Sequence, residues 1–524
     1  MATVLTGSAL FGSDTGRDAR SRRQLDDAAA PWAWRLHEWL LGRRTFTLTT
    51  QLRRSERWPR ERLRELQRRK LRRLVRHART HCPYYRDLRL PPASAIRDLD
   101  DIARLPLLTR DDLRHHARRM CWERMPARRL HEFSSGTFDE SIRYFWDRRR
   151  QAWDKANRLR ALAWSGQSVT DRDLFIWPYD PPLTTAARVR QWLRDHRDRA
   201  LDQFQIDSLR AFGPRAAHSW RAWRSADPVR VTAYPSVLAR LILDGRRIGC
   251  PMENPSLWRV FLTGEVTFDW QRALIEDTLG VSTVQDYGLQ EVGALAFSCE
   301  RGRWHTSAES ALIEIVRDGR PARPGELGEI VATGLESLAM PVVRYCTGDI
   351  VRVAETACPC GRGLPVLPPV LGRAADFLEA DDGQWIAPGD IVAALGAVLP
   401  DGSFQLEQAA DGTVVARVAR VPLAARPPVS CAESHWQQAA SGTHAATGAP
   451  GATGGLSASV SRDVARAASC QQHPRAIVEQ IRSLVGRDCR CSVQTVDRLC
   501  RSKFGKCRYV TSRRTAAGLA HRTD

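Results

Sequence analysis

The chain has 524 residues, 43% of them hydrophobic, and a formal charge of +21; at about 150 residues per domain it can bury a large core in two or three domains. It has no run of about 18 uncharged apolar residues, which argues against a membrane span. It also has no basic leader before an apolar stretch, which argues against secretion and leaves the cytoplasm as the expected compartment. Thirteen cysteines, an odd number scattered along a long chain, argue against a disulfide framework and for reduced or metal-bound thiols.

The positive charge clusters only between Arg53 and Arg79 and between Arg498 and Arg514, while lysine occurs only at Lys70, Lys155, Lys503 and Lys506. Coding bias accounts for so lopsided a ratio. No zinc-finger, ribonucleoprotein or helix-turn-helix signature accompanies the charge, so a nucleic-acid partner is not expected. A basic nucleic-acid-associated protein stays the reading that charge alone supports.

From Pro31 to about His81, apolar residues at three- and four-residue spacings (Trp34, Leu36, Trp39, Leu40, then Leu63, Leu66, Leu71, Leu74, Val75) predict amphipathic helix. Thr109, before Arg110-Asp111-Asp112-Leu113, is placed to cap a further helix. Between Glu132 and about Arg373, β-like runs (173–177, 230–232, 258–263, 281–285, 312–316, 329–333) alternate with helical ones (151–164, 186–195, 236–244, 267–279). The alternation predicts an α/β domain whose ligands sit at strand ends. After Arg373 a strand, a helix, two strands, a helix (474–485) and a strand (489–496) predict a small α+β domain. Within it, residues 427–473 are rich in Ala, Ser, Thr and Gly and are expected to form a disordered insertion.

Three segments carry candidate chemistry. In His131-Glu132-Phe133-Ser134-Ser135-Gly136-Thr137, hydroxyls and a glycine let N–H and O–H groups converge on phosphate oxygens; a plain β-turn has the same composition. In Gln285-Asp286-Tyr287-Gly288-Leu289-Gln290-Glu291-Val292-Gly293, an aromatic beside a glycine offers a face to a purine, and a carboxylate four residues on can reach a phosphate-bound magnesium; an ordinary strand-to-helix loop is the alternative. In Arg344-Tyr345-Cys346-Thr347-Gly348-Asp349, the carboxylate after the Thr-Gly turn suits ribose hydroxyls, and also a structural Asx-turn. Separately, Cys299, His305, Cys358 and Cys360 form a soft ligand set able to close a tetrahedral zinc site, or stand as reduced thiols.

The order of these segments, with Gly372-Arg373 and Gly505-Lys506 downstream, resembles the adenylate-forming superfamily, and within it the phenylacetate-CoA ligase family and its capsule-biosynthesis-type relatives. His77-Ala78 through Tyr84-Tyr85-Arg86, Tyr234-Pro235-Ser236 and Ala339-Met340-Pro341 match as well. The resemblance implies a large N-terminal domain, with residues 1–130 as its helical entry region and 131–375 as its ATP- and acyl-binding core. It implies a small mobile C-terminal domain over 376–524, turning about a hinge at Asp376. Ser134, Ser135, Gly136 and Thr137 would be the phosphate loop. Gly264 and Glu265 would approach adenine, Tyr287 with Gly288 would line the adenine or acyl pocket, and Glu291 would hold magnesium. Asp349 would bind ribose, Arg373 ribose or phosphate, and Lys506 would be the catalytic lysine. Some relatives carry zinc in the region of the Cys/His set.

The implied activity is ATP-dependent activation of a carboxylic acid and transfer to a thiol, coenzyme A first, with a carrier-protein thiol or an amine as alternatives. Trp177, Tyr234, Ser236 and Phe261 would line an apolar aromatic pocket, favouring an aryl or arylacetic acid. A homodimer is left open. One departure stands out. The family loop continues Thr-Thr-Gly-x-Pro, whereas here Thr137 is followed by Phe138-Asp139-Glu140-Ser141, placing two carboxylates where polyphosphate would pass. A degenerate member that binds nucleotide without turnover is the reading this departure supports.

Overall fold

The computed structural model describes residues 32–125, 131–135, 142–179, 184–354, 357–399, 402–419, 473–497, 499–500, 502 and 506–513. Gly136, Thr137 and residues 138–141 lie outside this set, as does nearly all of the segment 427–473. His473, assigned to that insertion, instead opens the helix His473–Val485.

The predicted N-terminal helical run is three helices, Trp32–Leu40, Thr45–Ser55 and Arg60–His81, broken at Gly42, which has φ +65°, and at Pro59, the N-cap residue of the third. The third buries Leu63, Leu71, Leu74, Val75 and Ala78 along one stripe, each large side chain contributing about 1.5–3 kcal/mol on burial. Many of the arginines are spent internally. Glu336, 3% exposed, gathers Lys70 at 2.6 Å and Arg73 at 3.0 Å, and also Arg149, so one buried carboxylate ties the long helix to the helix Arg148–Trp164. Thr109 closes a reciprocal cap with Asp112, accepting from its N–H at 3.1 Å while its own N–H donates to the carboxylate at 2.8 Å.

The main sheet has eight strands, in the order Val366–Leu367, Trp304–Thr306, Gly293–Ser298, Thr283–Leu289, Arg259–Leu262, Arg230–Ala233, Asp173–Trp177, Gln203–Asp207. The last five are mutually parallel and the first three join antiparallel. Short predicted runs therefore became strands for the expected reason: apolar residues with a helix between each parallel pair. A second sheet of five antiparallel-paired strands contains Leu327–Gly334, Tyr345–Arg352 and Val370–Arg373. Further on, Phe404–Gln408, Val414–Ala419, Cys491–Val496 and Val510–Ser512 form a four-stranded sheet. It packs on the helices Pro388–Gly396 and His473–Val485 around Ile391, Leu395, Phe404, Ile477 and Ile481, with Phe268 and Trp270 of the large sheet region at its margin.

Two predicted local structures are different in fact. His131–Ser135 is a strand paired antiparallel with Ile142–Trp146, so Ser134 and Ser135 end a hairpin arm and do not form a turn. The run ending at Gln285 continues as strand to Leu289 and folds back into Gly293–Ser298. The motif around Glu291 is thus a hairpin tip and not a strand-to-helix loop.

No disulfide joins the cysteines of the described residues, and no helix among those residues is long and apolar enough to cross a membrane.

Candidate active site

The hairpin tip is fastened from beneath. Arg150, fully within the protein, donates to the carbonyl of Glu291 at 2.9 Å and to that of Gln290 at 2.6 Å, and the Trp146 indole donates to the Gln290 carbonyl at 2.9 Å. Burial lowers the Arg150 pKa, with Asp154 and Glu291 opposing that shift. Because the two carbonyls are held by charge-assisted bonds, Glu291, 6% exposed, has a fixed starting point. The arm ending in Ser135 reaches the same tip through its partner strand, whose Tyr144 hydroxyl lies 3.4 Å from Gln290 Oε1.

One strand back, the Tyr287 hydroxyl donates to Asp349 Oδ2 at 2.7 Å. Tyr287 is therefore largely buried, with its hydroxyl bonded, and Gly288 beside it is where the strand register shifts. Asp349 is aimed by its own turn: Gly348 has φ +77°, its N–H donates to Glu329 at 2.7 Å, and Thr347 Oγ1 accepts from the Asp349 N–H at 3.1 Å. Arg344 opens the segment at φ +52°, with its guanidinium on Glu314 and on the carbonyls of Ala103 and Leu105. Asp349 pairs across the sheet with Arg373, Nε to Oδ1 3.7 Å. Burial raises the Asp349 pKa, opposed by Arg373 and the Tyr287 bond. Burial also works against the charge of Arg373, but Asp349, Asp376 and Glu291 outweigh it and hold that group above its ordinary value. Arg373 is thus the common electrostatic neighbour of three carboxylates.

Asp376 accepts from the Arg373 N–H at 3.2 Å and pairs with Arg508 of the small sheet region. Two residues before Arg508, Lys506 Nζ donates to the carbonyl of Gly264 at 2.7 Å and lies 4.4 Å from the Tyr234 ring centroid. Tyr234 is also stacked with Trp177, with centroids 4.3 Å apart. Burial pushes the Lys506 ammonium down to about 8, with Glu265 opposing and Arg373 adding to the shift. Gly264 is dictated by this contact. Its φ is +74°, and a Cβ there would lie 2.8 Å from Tyr234 Cε1 and 3.2 Å from Lys506 Nζ. Both oxygens of Glu265 accept from Ser236, N–H and hydroxyl, at 3.0 Å each, at the start of the helix Pro235–Arg247.

The structure thus brings Tyr287, Glu291, Asp349, Arg373, Asp376 and, through Gly264, Lys506 to one end of the sheets. Sequence reasoning missed Arg150, Arg158 and Arg508. The first two stand in Arg148-Arg149-Arg150 and Arg158-Leu159-Arg160, where abundant arginine concealed them; the 3.6-residue period, which turns both inward, was the available signal.

Away from this cluster, Cys299, His305, Cys358 and Cys360 converge, their ligand atoms all within 4.8 Å of one another. Cys299 and Cys358 Sγ are 3.7 Å apart, close to the roughly 3.8 Å that a tetrahedron with ~2.3 Å zinc–sulfur bonds requires. His305 Nδ1 is engaged by the Leu364 carbonyl at 3.1 Å, and Nε2 faces Cys360 Sγ at 3.3 Å, the arrangement of an oriented imidazole ligand.

No family model matches the chain. It is 28% identical over 345 residues to a phenylacetate-coenzyme A ligase of Thermus thermophilus, covering 61% of this chain and 72% of the relative. It is 27% identical over 334 residues to the enzyme of that name from Escherichia coli, covering 60% and 72%. Among solved structures, 2-hydroxyisobutyryl-CoA ligase in the postadenylation state, in complex with R3-HIB-AMP, aligns with a TM-score of 0.64 at 18% identity over 90% of this chain and 94% of that one. The same ligase with 2-HIB-AMP and CoA in the thioesterification state aligns with a TM-score of 0.52 at 18% identity over the same shares. The mixed α/β architecture is that of the adenylate-forming ligases.

Proposed function

We propose, from homology to the phenylacetate-coenzyme A ligases and the adenylate-forming fold, that this chain activates a carboxylic acid with ATP and passes the acyl group to the thiol of coenzyme A. A carboxylate oxygen attacks the α-phosphorus; the bond to the β-phosphate breaks, and pyrophosphate leaves. The thiolate sulfur then attacks the acyl carbon of the adenylate, and AMP departs. Positioning and charge neutralisation carry most of the rate.

The observation that carries this reading is Lys506, delivered from the C-terminal region onto the Gly264 carbonyl, at the end of the sheets where Asp349 and Arg373 pair. Its ammonium faces the α-phosphate and the incoming carboxylate. Asp349 offers the ribose hydroxyls the oxygen that Tyr287 does not occupy, and Arg373 balances the carboxylates around it. Glu291 is the residue to hold magnesium, which would offset the charge of the triphosphate. Coenzyme A is favoured as acceptor because the structural relatives are CoA ligases. The Cys/His set fits a structural zinc ion closing the end of the main sheet at Trp304–Thr306.

Lys506→Ala is expected to abolish acid-dependent pyrophosphate–ATP exchange while ATP affinity by calorimetry changes less than about 5-fold. Exchange at the wild-type rate would remove Lys506 from the mechanism. A nucleotide-binding, non-catalytic protein is the second reading, resting on Asp139 and Glu140 after the loop; ATP binding without exchange for any acid would favour it.

A further inference from the structure

Beside the Trp177–Tyr234–Lys506 stack lies a cavity of about 310 Å³, lined by Arg158, Phe175, Trp177, Gln205, Thr232 and Thr263, a volume suited to a single-ring acid. Its floor is one cross-strand row: Gln205 and Thr232 both pair in register with Phe175. Trp177, which lines it, is stacked on Tyr234, and Thr263, another lining residue, precedes Gly264, whose carbonyl accepts from Lys506.

The pocket expected from sequence was apolar; this one sets four polar residues, Arg158, Gln205, Thr232 and Thr263, in a mostly apolar surface. Phe261, assigned to the pocket, is buried in a core cluster, and Ser236 is held by Glu265. Arg158 is the distinctive member. Its guanidinium lies 4.6 Å from the Phe261 ring centroid and donates a hydrogen bond to Thr232 Oγ1 at 3.0 Å. Its carboxylate neighbours are beyond hydrogen-bond reach, Asp173 at 4.0 Å and Asp286 at 3.9 Å. Asp173 is already neutralised by Arg230 at 2.8 Å and accepts from Thr232 at 3.0 Å. Burial raises the pKa of Asp286, weakening the remaining counter-charge. A cation with several unused N–H donors therefore faces the space that an acyl group would fill. Covering it with a plain hydrocarbon ring strips those donors of water and returns nothing.

We infer that the acid this site takes carries a hydroxyl or carboxyl substituent remote from the activated carboxylate, recognised by Arg158 with Gln205 at the cavity mouth. The inference rests on the ligase reading and names its substrate class. A site built to hydrogen-bond a substrate group discriminates strongly against the analogue lacking it.

The test is a panel of phenylacetate, benzoate and their hydroxy- and carboxy-substituted forms, measured by pyrophosphate–ATP exchange and, separately, by equilibrium binding without ATP. The wild type is expected to prefer substituted acids by about 10- to 100-fold in kcat/KM. Arg158→Met is expected to erase that preference, chiefly through KM for the substituted acids. Gln205→Leu, at an exposed position, is expected to narrow the preference in the same direction and guards against an Arg158 variant that does not fold. Equal or better use of unsubstituted acids by the wild type, or an unaltered ranking in a folded Arg158→Met or Gln205→Leu protein, overturns the inference. Silence in exchange with the ranking retained in binding would instead sink the ligase reading and keep the pocket assignment.

Discussion

Lys506 is one of four lysines in the sequence, and its rarity against an arginine background made it legible before any geometry. The geometry adds a pH signature. Burial favours the neutral amine, and the group titrates at about 8, so the cation that adenylation requires is present below that pH and lost above it. The account predicts that kcat/KM for ATP falls as pH rises past about 8, and that Lys506→Arg, whatever its residual rate, removes that basic limb. A limb unchanged in Lys506→Arg would assign it to another group. Gly264 was legible as a position but not for its reason: only the folded chain shows Lys506 Nζ and Tyr234 filling the volume a Cβ would need. The partner of Glu265, Ser236, is brought to it by the parallel pairing of neighbouring strands, which sequence spacing does not reveal. Arg158 was invisible for a different cause, since the composition made every arginine look alike.

At the scale of elements, period and breakers were sufficient for the parallel strands and their helices, whose apolar runs and lengths are unambiguous. They failed where a strand carries polar residues. Thr283–Leu289 holds Gln285, Asp286 and Gly288, and its continuation depends on pairing with Gly293–Ser298, a tertiary contact that overrides local preference. The Cys/His set was legible because ligand chemistry survives without knowledge of the fold. With zinc bound, its binding free energy is also folding free energy. Purified protein is expected to contain about one zinc per chain. Its removal by a chelator, or Cys358→Ser, is expected to lower the melting midpoint by several degrees, at about 2–4 °C per kcal/mol. Metal-free protein with an unchanged midpoint would leave the four side chains as a thiol–imidazole cluster without a bound ion.

Across the whole molecule, the relation between the C-terminal region and the main sheet decides what Lys506 can reach. Among the described residues the docked arrangement includes Lys506 on Gly264, Arg508 on Asp376, the Cys507 N–H on Ser236 Oγ at 3.2 Å, the Gln271 amide on the Tyr509 hydroxyl at 3.4 Å, and Tyr509 against Phe268 and Trp270. We propose that the small domain turns about Asp376, exchanging these contacts. Arg508→Ala is expected to slow exchange about 5-fold, near 1 kcal/mol for a partly buried ion pair, while thioester formation from added acyl-adenylate is spared. An equal loss in both half-reactions would contradict a docking role. Several basic residues have internal partners, among them those on Glu336 and Glu38, while the net charge of +21 is what remains after every carboxylate is counted.

The most direct test of the central claim is acid-dependent pyrophosphate–ATP exchange by the wild-type chain across a panel of carboxylic acids. The account predicts label exchange with at least one aryl acid, lost in Lys506→Ala, and coenzyme A thioester with the same acid. ATP binding with no exchange for any acid in the panel would contradict it.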